Sequence, residues 1–133
     1  GLAHPTDVRG AADARATWTS SGVDSYTVTM TSSCGERLMI GQFEVTVVDG
    51  SVTLVTGLDE PGRRASTVPT LREVVPTITG LLDRLVSADP AHVPEVSFDE
   101  ATGIPTHVLF DPSPQAVDDE ECYDLTHVTP TGS

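Results

Sequence analysis

The two cysteines of the chain, Cys34 and Cys122, lie far apart, and each borders a strand-like segment. We interpret them as one disulfide bond that ties an early strand to the last one, with two unpaired buried thiols as the alternative. One detail opposes the bond: Cys34 shares the alternation parity of inward-facing Tyr26, whereas Cys122 has the opposite parity to Tyr123. Because a disulfide persists outside a reducing cytosol, the pairing predicts an extracytoplasmic protein.

The length and composition indicate one domain. At 133 residues and 38% hydrophobic residues, the chain can fill one modest core but hardly two. We expect a single α+β domain over residues 6–129, flanked by disordered ends at residues 1–5 and 130–133. We also expect the protein to be a monomer.

The charge is strongly acidic. Twenty acidic residues oppose seven basic ones, all of them arginine, for a formal net charge of −13. A chain of this charge repels phosphate backbones and anionic lipids, which argues against nucleic-acid binding and polybasic membrane docking. Two interpretations stay open: a solvated acidic surface, or an acidic face for a basic partner or a divalent cation.

The sequence contains no apolar run of about 18 residues, so it predicts no transmembrane segment. It also lacks the hydrophobic region of a signal peptide. Given the expected disulfide, we expect a removed signal or a lipid-anchor segment upstream of residue 1.

The first element reads as a helix. Thr6 or Asp7 can cap its first turn, alanines favour it to about Ser20, and Gly22 suits the left-handed residue that ends a helix. Its inner face is expected to consist of Val8, Ala11, Ala12 and Trp18.

Two strands and a hairpin follow. Residues 26–30 and 43–47 alternate apolar and polar side chains, the pattern of half-buried strands. Asp49-Gly50 accepts the positive φ angles of a two-residue hairpin and joins the second strand to residues 52–55. The inward-facing residues are expected to be Tyr26, Val28, Met30, Phe43, Val45 and Val47.

After an expected exposed and mobile loop at residues 59–69, the pattern returns to helix. Thr70 and Glu73 match a capping box, and Pro76 predicts a kink or a restart because it has no backbone N–H. The expected core stripe consists of Leu71, Val74, Val75, Ile78, Leu81, Leu82 and Leu85.

Three more strands complete the chain, at residues 95–98, 104–110 and 122–128, with a turn through Thr102-Gly103 between the first two. The order is helix, three strands, helix, three strands. Such an order predicts an α+β fold with an antiparallel sheet and helices packed on one face.

These residues resemble a family of bacterial secreted or lipid-anchored proteins known as a domain of unknown function. The resemblance covers roughly Ala12 to Val128. It rests on Trp18, Asp24-Ser25-Tyr26, Cys34, the segment 45–52, Thr70-Leu71, Phe98-Asp99, Gly103-Ile104-Pro105, Asp118-Asp119-Glu120 and Tyr123. It implies an extracytoplasmic setting and supplies no catalytic residues. Many members carry a second cysteine where this chain has Glu36, and its absence here favours pairing of Cys34 with Cys122.

Two groups of residues are candidates for metal binding. His107 and His127 lie in identical Thr-His-Val tripeptides on two strands, and with Asp124 or Glu95 they could bind zinc or copper. The acidic run at residues 118–121, with Asp111 and Asp124 nearby, could collect calcium. Exposed histidines and a solvated loop are the default interpretations, so we predict no metal site and no cofactor.

Catalytic motifs are missing from the sequence. It has no Gly-x-Ser-x-Gly elbow, no His-Glu-x-x-His pair and no phosphate-binding glycine loop. We therefore predict no catalytic residues and a non-enzymatic extracytoplasmic module that binds a protein or another envelope component. The alternatives are a small acidic inhibitor or immunity-type protein for a basic cleft, and a metal- or calcium-binding envelope protein.

Overall fold

The computed structural model describes residues 7–35, 38–112 and 119–131. Its six strands form one antiparallel sheet in the order β3-β2-β1-β6-β5-β4. The strands are β1 (Tyr26–Ser32), β2 (Gly41–Val48), β3 (Ser51–Gly57), β4 (Glu95–Phe98), β5 (Pro105–Phe110) and β6 (Glu121–Pro130). The helices are α1 (Ala11–Ser20), α2 (Glu60–Ala65), α3 (Leu71–Val74) and α4 (Ile78–Ser87), with 3₁₀ turns at Val8–Gly10 and Pro90–His92. The predicted α+β architecture is confirmed.

The first and last strands are neighbours at the centre of the sheet. β1 pairs with β2 on one side and with β6 on the other, so each three-strand half joins the other along this seam. The hairpin between β2 and β3 turns at Asp49 (φ 50°) and Gly50 (φ 80°), as the sequence predicts. Positive φ at both turn positions matches the twist of the strands, so this turn pairs Val48 with Ser51, and a bulge next to Val47 shifts the register of the remaining pairs.

Trp18 and Tyr26 hold the helical layer on the sheet. Trp18 is buried, packs edge-on against the Tyr26 ring at 5.6 Å, and donates its indole N–H to the Thr79 hydroxyl at 3.2 Å. The Tyr26 hydroxyl accepts the backbone N–H of Ile78 at 2.9 Å, at the start of α4. The expected inner face of α1 is wrong at Ala12, which is exposed, while Ala14 is buried. Once the 3₁₀ turn precedes the helix, residues 11, 14 and 18 share the face toward the core.

The predicted second helix divides at Pro76. Val75 takes an extended conformation (φ −78°, ψ 123°), as the residue before a proline prefers, so α3 ends there. The expected capping box is absent, because the Thr70 side chain makes no capping hydrogen bond. Thr77 instead caps α4 by accepting the Gly80 N–H at 2.9 Å. Val74 was expected in the core stripe but is 47% exposed. It lies on α3, which is separate from α4, so it does not continue the buried face of α4.

The expected loop at residues 59–69 contains a helix. Asp59 caps α2 by accepting the Gly62 N–H at 2.8 Å, and Pro61 occupies the first turn, where its missing N–H costs nothing. α2 lies where Gly41 and Gly57, near the ends of β2 and β3, leave room for its backbone.

The disulfide between Cys34 and Cys122 is present, with the two Cα atoms 5.7 Å apart. The parity argument against it fails because β1 ends at Ser32 and Gly35 takes a left-handed conformation (φ 77°). Alternation therefore stops before Cys34. The described residues contain no helix that is long and apolar enough to cross a membrane.

Candidate functional site

Among the residues that the structure describes, the helices pack on one face of the sheet. On the other face, which we call the open face, the side chains between the buried core positions of the strands are partly or fully exposed. Cross-strand pairing aligns them in rows, such as Thr56, Glu44, Thr29 and Thr126 across β3, β2, β1 and β6. The open face comprises Thr27, Thr29, Thr31, Gln42, Glu44, Thr46, Leu54, Thr56, Glu95, Ser97, His107, Leu109, Asp124 and Thr126.

The open face has no aromatic side chain. All six aromatic residues of the chain are buried in the core. Sugar rings and nucleobases are usually held by stacking on exposed aromatic rings, so this surface lacks the platform that those ligands require. Its chemistry is that of hydroxyls, amides and carboxylates.

At the β6-β5-β4 end of the open face, His107 lies between two carboxylates. Its Nδ1 is 2.7 Å from Asp124 Oδ1, and its Nε2 is 2.8 Å from Glu95 Oε1. The hydrogen bond with Glu95 has the largest effect on the pKa of His107, which is raised above its ordinary value of 6.5. Burial opposes this effect, and the hydrogen bond with Asp124 and the charges of both carboxylates add to it. The three residues form a carboxylate–histidine–carboxylate bridge across three strands.

This bridge changes the interpretation of the zinc hypothesis. Asp124 and Glu95, the two expected extra ligands, do lie beside His107, but each occupies one ring nitrogen. A histidine binds metal through an unprotonated nitrogen, so metal at His107 would have to displace one of these carboxylates.

His127 does not join this bridge. The register places Asp124 opposite His107. His127 lies three residues further along β6, exposed and with positive φ (53°), where its Nδ1 is 3.1 Å from the Thr126 hydroxyl. Among the described residues, no group of three or more His, Cys, Asp or Glu side chains is arranged to hold a metal ion.

The calcium hypothesis concerns residues 118–121, of which Asp118 lies outside the described residues. Glu121 is already engaged, since it pairs with Arg84 at 3.0 Å and accepts the Tyr123 hydroxyl at 2.7 Å. Asp111 and Asp119 each have a shielded oxygen without a hydrogen-bond partner among the described residues. A solvated acidic run stays the prediction here, with calcium binding as its alternative.

A shallow cleft of about 700 Å³ lies at the end of the sheet beside the β2–β3 turn. Ser25 lines this cleft and links its walls. Its hydroxyl accepts the Asp49 N–H at 3.0 Å and its carbonyl accepts the Thr131 N–H at 2.9 Å. The amides that would otherwise face a ligand are therefore used internally. The open face is the better candidate for a functional surface.

A six-stranded antiparallel sheet, a layer of helices on one face and a disulfide from the segment after β1 to β6 define a disulfide-bridged α+β domain. Such a bond is consistent with an oxidising, extracytoplasmic location. A model of a family of unknown function (DUF6174) matches residues 10–130, and the chain belongs to this family. No curated protein and no solved structure matches it.

Proposed function

We propose that this protein is a non-enzymatic binding module, secreted or anchored at the outer face of a membrane. It engages a protein or another envelope component through the open face. The disulfide supports the compartment. The open face carries the proposal, because in the described part of the chain the helices leave this side of the sheet exposed.

The side chains of the open face suit binding. Threonine is β-branched, so it has few rotamers to lose when a partner covers it, and its hydroxyl both donates and accepts hydrogen bonds. Thr27, Thr29 and Thr31 are held in register by neighbouring strands on both sides. Near the β2–β3 turn, Val48 (42% exposed) and Leu54 (56% exposed) add apolar contact area. A preordered surface of this kind has a low entropic cost of association.

The His107 bridge supports a binding role over catalysis. A general base needs an unoccupied nitrogen within reach of the proton it removes. Both ring nitrogens of His107 are within hydrogen-bonding distance of carboxylates, and the raised pKa favours the charged form, which accepts no proton. The bridge is thus suited to hold three strands together at the surface.

This structural role predicts a pH dependence of stability. A histidine whose pKa is raised by folding contributes stability fully below its unfolded value of about 6.5, and the contribution disappears as the pH rises through the folded pKa. The wild type should therefore be more stable than His107→Gln, and this difference in the free energy of unfolding should be larger at about pH 5.5 than at about pH 9. Because the site is partly exposed, the difference should change by about 1 kcal/mol or less between the two pH values. Urea unfolding across this range measures it.

The matched control for this prediction is His127→Gln, which replaces a histidine that the structure leaves outside the bridge. Its stability should follow the wild-type curve at every pH. A His107→Gln variant whose difference from the wild type does not change with pH would show that the bridge contributes no charge-dependent stability.

The binding role is tested by site-specific photo-crosslinking of the full-length, oxidised protein with envelope and secreted fractions of its source cells. A photoreactive residue replaces Thr29 at the centre of the open face, or exposed Thr17 on α1 as the control. We expect one discrete adduct at position 29 and none at position 17. The same products at both positions, or turnover of ester, peptide or glycoside substrates by the purified protein, would contradict the proposal.

A further inference from the structure

The described arginine side chains are confined to the helical layer of the fold, whereas carboxylates occur in both layers. None of the six strands contains an arginine, whereas three contribute carboxylates to the open face: Glu44 from β2, Glu95 from β4 and Asp124 from β6. Every described arginine lies on a helix or a 3₁₀ turn: Arg9, Arg15, Arg63, Arg64, Arg72 and Arg84.

The arginines of the helical layer largely neutralise nearby acids. Ion pairs join Arg9 with Asp7 (2.7 Å), Arg15 with Asp83 (3.3 Å), Arg64 with Glu60 (2.8 Å) and Arg84 with Glu121 (3.0 Å). On the open face, His107 can carry positive charge, and it is held between two carboxylates; His127 lies beside Thr126, at the edge of this surface. The open face therefore keeps a net negative charge, with Glu44 on β2, next to the central strand β1.

We propose that the partner of the open face is a cationic protein surface, whose arginine or lysine side chains contact the row formed by Thr56, Glu44, Thr29 and Thr126. This inference rests on the proposed function and specifies its partner. Guanidinium and ammonium groups are pure donors, and carboxylates and threonine hydroxyls accept from them. Anionic lipids and nucleic acids are repelled by a chain of net charge −13, and stacked sugars lack an aromatic platform here.

The test uses a defined probe, an arginine-rich peptide of about 20 residues that alternates arginine and serine, with a glutamate–serine peptide as its counterpart. NMR amide shifts should change along β2, β1 and β6 with the cationic peptide only. Glu44→Arg should weaken its affinity about tenfold, because one attractive charge is replaced by a repulsive one, and Glu44→Gln by about threefold.

The matched control is Glu73→Arg, which makes the same charge change at an exposed glutamate of α3 in the helical layer. It should weaken affinity by less than about twofold, because only long-range attraction is lost. A melting temperature equal to that of the wild type is required of all three variants, because it shows that they fold. Equal losses in Glu44→Arg and Glu73→Arg would mean that only net charge matters and would overturn the proposal, as would a failure of the cationic peptide to bind at about 50 mM salt.

The two proposals fail in different ways. If the adduct at position 29 forms equally well when the same protein also carries Glu44→Arg, the proposal of a binding module stands and the proposal of a cationic partner is wrong. If no adduct forms at position 29, the proposed binding function itself is contradicted.

Discussion

Replacing both cysteines, in the double variant Cys34→Ser/Cys122→Ala, is expected to lower the free energy of unfolding by about 4–5 kcal/mol. The bond joins residues 88 positions apart, so it removes a large loop-closure entropy from the unfolded chain. Alanine is chosen at position 122 because Cys122 is 7% exposed and a serine there would bury a hydroxyl. Domains of this size are stable by about 5–15 kcal/mol, so the variant should be close to unfolding at body temperature.

Urea denaturation of three samples measures this effect: the oxidised wild type, the wild type with reductant, and the double variant. The reduced wild type should unfold at nearly the midpoint of the double variant, because both lack the same covalent link. The double variant itself serves as the control for reductant, which should leave its midpoint unchanged. A wild-type midpoint that reductant does not move would contradict the structural role of the bond.

Substituting Gly62→Ala should destabilise the protein by about 3 kcal/mol, although glycine to alanine inside a helix normally stabilises by about 1 kcal/mol. A methyl group on Gly62 would overlap the backbone carbonyl of Gln42, and a methyl on Gly41 or Gly57 would in turn overlap the backbone of Gly62. Because these neighbours are backbone atoms of β2 and β3, they cannot rotate away. α2 would have to lift from the sheet.

Lifting α2 would also break a polar link. The Asp59 side chain accepts the backbone N–H groups of Gly62 (2.8 Å) and Gln42 (3.1 Å), and these two bonds, that from Gln42 first, lower the pKa of the Asp59 carboxyl. The control is Gly80→Ala in α4, where the added methyl would meet only the Thr77 hydroxyl at 3.1 Å and stability should change by less than about 1 kcal/mol. Equal urea midpoints for Gly62→Ala and the wild type would show that α2 does not pack against these glycines.

Much of the fold could be predicted because its signals are local. The alternation of Tyr26, Val28 and Met30 is a property of one strand, and the Asp49-Gly50 turn is a property of two residues, so both predictions are confirmed. The chain has two cysteines and therefore only one possible intramolecular bond. α2 was missed because Pro61 and Gly62 are typical of loops, and the glycines that make room for it are distant in sequence.

The candidate site depended on strand order. Glu95, His107 and Asp124 were each recognised as possible ligands, but a shared site required β4, β5 and β6 to be neighbours in the observed register. The confinement of the described arginines to the helical layer could not be predicted for the same reason, since a net charge carries no information about which face each residue occupies.

By itself, the amino-acid sequence determined the elements with strong periodicity, the hairpin between β2 and β3, the buried Trp18 and the disulfide partners. Each of these follows from the conformational preferences of neighbouring residues or from the small number of thiols. The tertiary structure alone decided which residues share the open face, how His107 acquires two carboxylate neighbours and where α2 rests. Those features arise from pairing between strands that are distant in the chain, and local preferences do not specify that pairing.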